Sequence, residues 1–531
     1  MFTKLRGRYL QAAITFSAGS AYLLFGYDQG VLGGLVTQPS FLDAIGNPSP
    51  SFLGLIVALY NIGCLVGCIV ASLIGNKWGR RKIIIWGCII MIIGGIIQSA
   101  AFGAAQLIVG RLISGVGNGM NTSIVPVYVS ECSHAKHRGR AVAVQLSIVI
   151  FGTVVAYWLD YGTIKHLTGE VVWRFPIAFQ NVFALVTVAT LPFLPETPRW
   201  LYSHEYRTEA IEVLSRLYDC QEDDPIIQSV RQEIETALNL EHQTEKFSLK
   251  NLIHDKTPVK NTRRLVLCFM IQLWQQFTGI NVIAFYVTIV LETNVGLSKD
   301  TSSLVAGCIQ IAFWLSTFPP MYLLDRVGRR PMLMLGSVSL LTAMAVFTAG
   351  IAVNTPSTSA MALAFLFIYE ISFGMSWNSI PWLYAPEITP LELRHVGSSV
   401  AAFSEWLWTF VIALITPYAI DTAGWKFYIL FCVMILLNIP FTYFFLPEVS
   451  FLTPIPLMRA CLTNSRRVGK HLKSLITFSL EMHSTPMRPR ATARRAGDRA
   501  SRSRSRFRGG QACRYVVVSG KGGNIQAERL D

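Results

Sequence analysis

Charge is what this sequence has least of. Asp, Glu, Lys and Arg make up 15% of its 531 residues, against 52% hydrophobic; a soluble globular chain carries about 25% charged residues. The length would allow several soluble domains, but so few charges point to lipid as the main solvent. Cysteine is sparse too: the chain has ten, most inside apolar runs, and no C-x-x-C pair. That leaves no support for a disulfide-stapled secreted scaffold, a zinc ribbon or a thioredoxin-like redox pair. Nucleotide-binding loops, metal clusters and nucleophile–base sets are missing as well. The sequence reads as that of a non-enzyme with no cofactor.

Acids are scarce in one region in particular. Residues 451–531 hold 17 Lys and Arg against four Asp and Glu, while the rest of the chain sets 29 basic residues against 27 acidic ones. The net charge of +15 therefore belongs to a tail and not to a nucleic-acid-binding surface, and no nucleic acid is expected as a partner.

What the chain does have is a series of uncharged runs. A helix needs about 20 largely apolar residues to cross a hydrocarbon core roughly 30 Å thick. Such runs cover 9–27, 53–75, 83–110, 112–130, 141–159, 175–195, 265–291, 301–324, 331–369 and 427–447. The run 331–369 is broken at Asn354-Thr355-Pro356 and reads as two helices, the second completed by 371–386; 396–420 adds one more with a single acid inside. The expected fold is an all-α membrane protein of twelve transmembrane helices in two pseudo-repeated six-helix bundles. Residues 1–195 and 263–448 would be the bundles, and 196–262 a linker of short helices with charges at helical spacing. Residues 449–531 form the Arg-rich tail.

Lys and Arg are absent from alternate loops, around 36–51, 101–106 and 354–359, and present in Lys77-Trp78-Gly79-Arg80-Arg81-Lys82, in 136–140, in 326–330 and at Arg394. Basic loops mark the cytosolic side, which would put both termini in the cytosol, with the plasma membrane as the expected location. The first run lacks a small-residue cleavage site and reads as a span, not a removed signal peptide.

The halves repeat each other. Gly75-Asn76-Lys77-Trp78-Gly79-Arg80-Arg81 after span 2 matches Leu324-Asp325-Arg326-Val327-Gly328-Arg329-Arg330 after span 8. Pro126-x-Tyr128-x-x-Glu131 with Arg138 closes span 4, as Pro381-x-x-Tyr384-x-x-Glu387 with Arg394 closes span 10. Leu194-Pro195-Glu196 ends span 6 and Leu446-Pro447-Glu448 ends span 12. Carboxylate–guanidinium pairs at this depth could hold the inner ends of the bundles together and break when the inside opens. The candidate gating charges are Arg80, Arg81, Glu131, Arg138 and Glu196 in the first half, and Asp325, Arg329, Arg330, Glu387 and Arg394 in the second.

Charges within spans are costly and usually face a cavity or a partner. Asp28, late in span 1, and Arg111, early in span 4, fall at similar depth in the outer half, where they could pair and the acid could load a proton. Sugar recognition needs groups that both donate and accept, plus an apolar face for the ring. Span 7 offers Gln272, Gln275, Gln276 and Asn281, with Gln272 and Gln276 on one helical face.

On these motifs, with Gly26-Tyr27-Asp28-Gln29-Gly30, Pro195-Glu196-Thr197-Pro198-Arg199-Trp200-Leu201 and Gln275-Gln276-x-x-Gly279-Ile280-Asn281, residues 10–448 resemble the major facilitator superfamily. Within it they resemble the sugar porter family, most nearly its fungal members. The resemblance implies secondary active transport of a sugar (hexose, pentose or disaccharide) by alternating access, as a carbohydrate:proton symporter, since an acid at Asp28 goes with proton coupling there. It adds Gln145 in span 5 and Trp382 in span 10 to the sugar site. The expected partners are a sugar, a proton and membrane lipid, with the chain acting as a monomer. A facilitative sugar uniporter and a non-transporting sugar sensor are the alternatives.

Several positions depart from the family pattern. Asn76 replaces the usual Asp, Gln310 stands where Asn is usual, and Asn378 replaces a Gly. Glu405, near the middle of span 11, falls where the family has an amide touching sugar. It is expected to act as a second proton site or to select a less usual neutral solute. Glu370 in span 10 has no assigned role. After Pro447-Glu448 the resemblance stops, and the tail reads as an error in the gene model ahead of an anionic-lipid tether or a signalling tail.

Overall fold

In a computed structural model, residues 5–134, 138–243, 261–389 and 394–448 are described. Every regular element among them is helical. Ten helices are long and apolar enough to cross a membrane. Two more, Gly7–Leu35 and Ala104–Glu131, have the length, at 29 and 28 residues, with their apolar content diluted by Gly, Ser and Asn. Together they make twelve spans. The first six are Gly7–Leu35, Pro50–Trp78, Arg80–Ser99, Ala104–Glu131, Arg138–His166 and Val171–Thr190.

The second six are less regular. Span 7 comprises Asn261–Gln276 and Ile280–Ile289, followed by a π-turn at Val290–Val295. Span 8 comprises Lys299–Ser316 and Pro320–Val327, and span 10 comprises Pro356–Met375 and Ile380–Ile388. Spans 9, 11 and 12 are Arg329–Val353, Arg394–Ala423 and Lys426–Phe445. The breaks have local causes. Gly279 takes φ +97°, where a Cβ would also sit 3.0 Å from the Phe431 ring. Pro320 and Pro381 stand in the first turns of the segments that follow the other two breaks, where a missing N–H does no harm.

The boundary between spans 3 and 4 falls inside one uncharged run. The uncharged run 83–110 extends past the end of span 3, and the turn lies between Ser99 and Ala104, within a few residues of the loop expected around 101–106. This loop holds no charge and so leaves no mark in a search for uncharged runs. Arg111 thus sits two turns inside span 4.

Lipid tails and side chains are equally apolar, so helices here associate by close packing. Spans 2 and 4 show this best: a Cβ on Gly67 would lie 2.1 Å from the Val116 carbonyl, and one on Gly119 2.0 Å from that of Cys64. Leu73, Ile96, Leu185, Leu335 and Phe444 remain more than half exposed, as a lipid-facing surface requires. The halves meet where span 2 packs on span 11 and span 5 on span 8, with span 1 against the second segment of span 7.

Between spans 6 and 7 lie the helices Pro198–Ser203, Arg207–Tyr218 and Pro225–Gln243. They dock on the end that carries the Arg-rich loops, called the basic end below. There Trp200 Nε1 donates to the Asn76 carbonyl at 2.7 Å, and His134 bonds Gln11 and packs on the Tyr218 ring. The tail from 449 onward lies outside the described residues.

Candidate functional site

Asp28 and Arg111 are both fully buried. Arg111 Nη1 donates to Asp28 Oδ1 at 3.2 Å, its Nη2 reaches the Val57 carbonyl at 3.5 Å, and its guanidinium lies 4.5 Å from the Tyr60 ring centre. Asp28 Oδ2 has no hydrogen-bond partner among the described residues. Desolvating two charges costs several kcal/mol each, recovered only when geometry and hydrogen bonds are complete. One contact and an idle oxygen do not complete it.

The amides gather beside the break in span 7. Asn281 Nδ2 donates to Gln276 Oε1 and lies 3.4 Å from Thr409 Oγ1 on span 11. The Gln276 side chain borders Glu405, itself half-buried on span 11. Gln275 Nε2 donates to the Trp377 carbonyl at 2.8 Å and reaches that of Asn378 at 3.5 Å, which ties span 7 to the break in span 10. Gln272 is buried with neither its oxygen nor its nitrogen bonded to the protein, and Gln145 Oε1, Gln310 Nε2 and Asn378 Nδ2 are likewise uncommitted among the described residues. Unpaired buried amides cost about 1–3 kcal/mol each, so such a set is poised for hydroxyl groups. The structure thus joins Gln276, Asn281 and Glu405 in one network. No hydrogen bond among the described residues links Gln145, Gln272 or Gln310 to it. Trp382 is half-buried on span 10. Trp406 was not singled out from sequence; it is buried and meets Phe25 and Tyr60 edge-on, at 5.5 and 6.5 Å, and so supplies an apolar wall between the halves. Its only signal was its place next to Glu405.

At the basic end the repeat is reproduced in three dimensions. Arg80 approaches Glu131 with both contacts at 3.3 Å, and Arg329 grips Glu387 at 3.0 and 3.1 Å. The Glu196 carboxylate accepts from the backbone N–H groups of Arg80 and Arg81 at 3.2 and 3.1 Å; Glu448 does the same for Arg329 and Arg330 at 3.0 and 3.2 Å. Glu196 therefore sits on the N-terminus of span 3 and Glu448 on that of span 9, where a negative charge is favoured. Burial pushes the Glu196 carboxyl up from the ordinary glutamate value, against the opposing pull of the Thr197 and Arg81 amides and of the two guanidinium groups. The Tyr128 hydroxyl donates to the Pro195 carbonyl at 2.8 Å and that of Tyr384 to Pro447 at 2.9 Å. Arg81 donates to the Leu194 carbonyl at 2.7 Å, and Arg330 to that of Tyr443. Tyr128, Tyr384 and Glu448 were visible in sequence only as repeat markers.

These pairs close within each half, not between the halves as the sequence suggested. The contacts just described tie each loop to the ends of its own half's spans. The side chains of Arg138, Asp325 and Arg394 lie outside the described residues. Contacts across the halves at this end are of another kind: Ser72 to Ser399 at 3.1 Å and Arg140 over the Tyr322 ring. At the far end the halves are joined by Tyr157 donating to the Ala284 carbonyl at 2.9 Å and Thr288 to that of Gly33 at 2.5 Å, while Tyr286 donates to the Ala413 carbonyl at 2.9 Å within the second half.

Two repeated six-helix halves, with broken helices beside buried amides and a buried ion pair, are the architecture of a multi-pass membrane transporter. The family model of the sugar (and other) transporters matches residues 12–456, and the chain belongs to that family. It is 36% identical over 455 residues to the MFS-type transporter oryC of Aspergillus oryzae, covering 84% of each chain. To the sugar transporter STL1 of Saccharomyces cerevisiae it is 32% identical over 503 residues, covering 91% of this chain and 88% of that one. The fold matches the xylose transporter XylE from E. coli in a partially occluded inward-open conformation, with a TM-score of 0.71 at 23% identity, over 83% of this chain and 99% of that one.

Proposed function

We propose that this protein carries a neutral polyhydroxylated solute, first of all a sugar, together with a proton through the plasma membrane, with the basic end and both termini in the cytosol. The carrying observation is the Asp28–Arg111 pair: fully buried, joined at one 3.2 Å contact, and placed apart from the amide network around Gln276. A proton arriving on Asp28 neutralises it and frees Arg111 toward the Val57 carbonyl and the Tyr60 face. Loss of the proton restores the pair. Because spans 1 and 4 carry the two partners, this exchange changes how the first half packs, and solute bound across spans 7, 10 and 11 feels it through the shared seam. The sugar assignment draws support from the family and from a relative named as a sugar transporter.

The test is radiolabelled uptake of a panel of sugars, polyols and quinate in a transport-null host. At least one neutral member should accumulate against its gradient. Asp28→Asn should abolish that accumulation while leaving counterflow exchange. Concentrative, pH-dependent uptake undiminished in the variant would remove Asp28 from the mechanism.

A further inference from the structure

Beyond the ion pair and the amide network, two more acids, Asp160 and Glu370, are buried among the described residues, and Asp160 lies beside the residues that join the two halves. Asp160 lies on span 5, which the uncharged run ending at residue 159 stopped just short of. It is 1% exposed, and neither carboxyl oxygen has a hydrogen-bond partner among the described residues. Span 1 presses on it: a Cβ on Gly34 would fall 2.4 Å from Asp160 Oδ2. The Gly34 amide is the one backbone group that approaches it.

The neighbours that could compensate a charge are committed elsewhere. Tyr27 on span 1 spends its hydroxyl on the Pro176 carbonyl at 2.8 Å, and Tyr157, one turn back on span 5, spends its own on Ala284 at 2.9 Å. Asp28 lies beyond Tyr27, and Glu370 of span 10 lies beyond Tyr157; both would add negative charge. Glu292, the acid on span 7, faces Thr37 and Lys299 instead. No Lys, Arg or His among the described residues offsets Asp160. A buried carboxylate without a counter-charge costs many kcal/mol, and a proton removes that cost.

The position gives this cost a mechanical meaning. Successive turns of span 5 place Tyr157 against Gly33 and Asp160 against Gly34. Across the seam, successive turns of span 7 place Ala284 on Tyr157 and Thr288 on the Gly33 carbonyl. Opening of the far end would break these span 7 contacts, which lie one turn from the carboxyl. We propose that Asp160 is a second proton-binding carboxyl, loaded from the external side, and that the halves close over it only when it carries the proton. This rests on the reading that the far end is external, and it does not require that Asp28 couple transport.

The test needs no solute. Thr288→Cys places a thiol at a fully buried seam position, and labelling by a membrane-impermeant maleimide on intact cells reports opening of the far end. The full chain and its Asp160→Asn form, each with Thr288→Cys, are compared across external pH 5 to 8, with chains lacking Thr288→Cys as blanks. The ratio of the two labelling rates cancels the thiol's own ionisation. One titrating group shifts an equilibrium by at most tenfold per pH unit, so the ratio should rise by about tenfold or more toward alkaline pH. Asp160→Glu should keep the rise, and so should an Asp28→Asn background. Should Asp160→Asn fail to reach the membrane, Asp160→Thr serves as the neutral form. Parallel pH dependence in the acidic and neutral forms overturns the proposal, as does a rise that disappears with Asp28→Asn and survives Asp160→Asn. Labelling seen only after permeabilisation would overturn the external placement. Concentrative uptake undiminished by Asp28→Asn, with the rise intact, would overturn proton coupling at Asp28 and leave Asp160 standing.

Discussion

Replacing Glu387 with Gln removes the charge from a fork in which Arg329 Nε and Nη2 reach its two oxygens at 3.1 and 3.0 Å. The matching fork of the first half, Arg80 on Glu131, is looser, with both contacts at 3.3 Å. Both are well shielded, with side-chain exposures of 13% and 26% for the tighter pair and 15% and 13% for the looser one. Exposed ion pairs contribute about 0.2–1 kcal/mol, and hydrogen bonds to charged groups about 1.5–3 kcal/mol. A coupling of about 2 kcal/mol is therefore expected for Arg329–Glu387 and about 1 kcal/mol for Arg80–Glu131. Each pair ties neighbouring spans of one half, so the coupling should show in the cohesion of that half. Double-mutant cycles with Arg→Gln and Glu→Gln, read by thermal unfolding of the purified full chain, isolate it from the separate effects of each substitution. The same variants should slow uptake without altering which solutes compete. A coupling below about 0.3 kcal/mol for Arg329–Glu387, within the scatter of independent sites, would refute the argument, and so would a larger value for the looser pair. Coupling seen in transport rate but not in unfolding would make these pairs gates between conformers and not staples within a half.

Gln276→Ala should weaken solute binding by about 1–3 kcal/mol, the cost of leaving buried partners unpaired; unchanged affinity in correctly inserted protein would move the site away from span 7. Glu405→Gln should keep binding yet flatten an uptake that otherwise falls as pH rises, because an ionised acid at this position repels anionic solutes and a neutral one donates to a hydroxyl. Efficient transport of an organic anion by the parent chain, or an equally steep profile in the variant, would defeat that assignment. Gly67→Val should cost at least the 1–3 kcal/mol typical of overpacking, seen as loss of thermal stability, since its Cβ would meet the Val116 carbonyl at 2.1 Å. Gly162→Ala, with nothing within 4 Å of the new carbon, should be close to neutral.

The same scarcity of charge that exposed the fold in the sequence also hid part of its machinery. Spans are found by looking for stretches without charge, and twelve came out in the right order. An uncharged run by itself does not mark a loop without charge, as at 100–103, nor the full length of a span that carries a charge near its end. Asp28 and Arg111 were recognised because each stands near an apolar run long enough to tolerate the interruption. Asp160 was lost because its run was cut at the residue before it and, unlike Asp28 in Gly26-Tyr27-Asp28-Gln29-Gly30, it stands in no motif that carries it back into the span. The breaks in spans 7, 8 and 10 were equally silent, since Gly279 and the prolines weaken a helix without changing its hydropathy. Sequence spacing named the partners in the Arg–Glu pairs but not which half each would bridge, because repeat positions carry no information on whether two loops face each other or their own bundle. A rule that ends a span at its first acid is therefore biased against the residues a transporter most depends on, because a charge kept inside a membrane span has a cost that selection would otherwise remove. The acids worth testing first are those such a rule discards, and Asp160, with both oxygens unpartnered among the described residues beneath the seam between the halves, is the first of them.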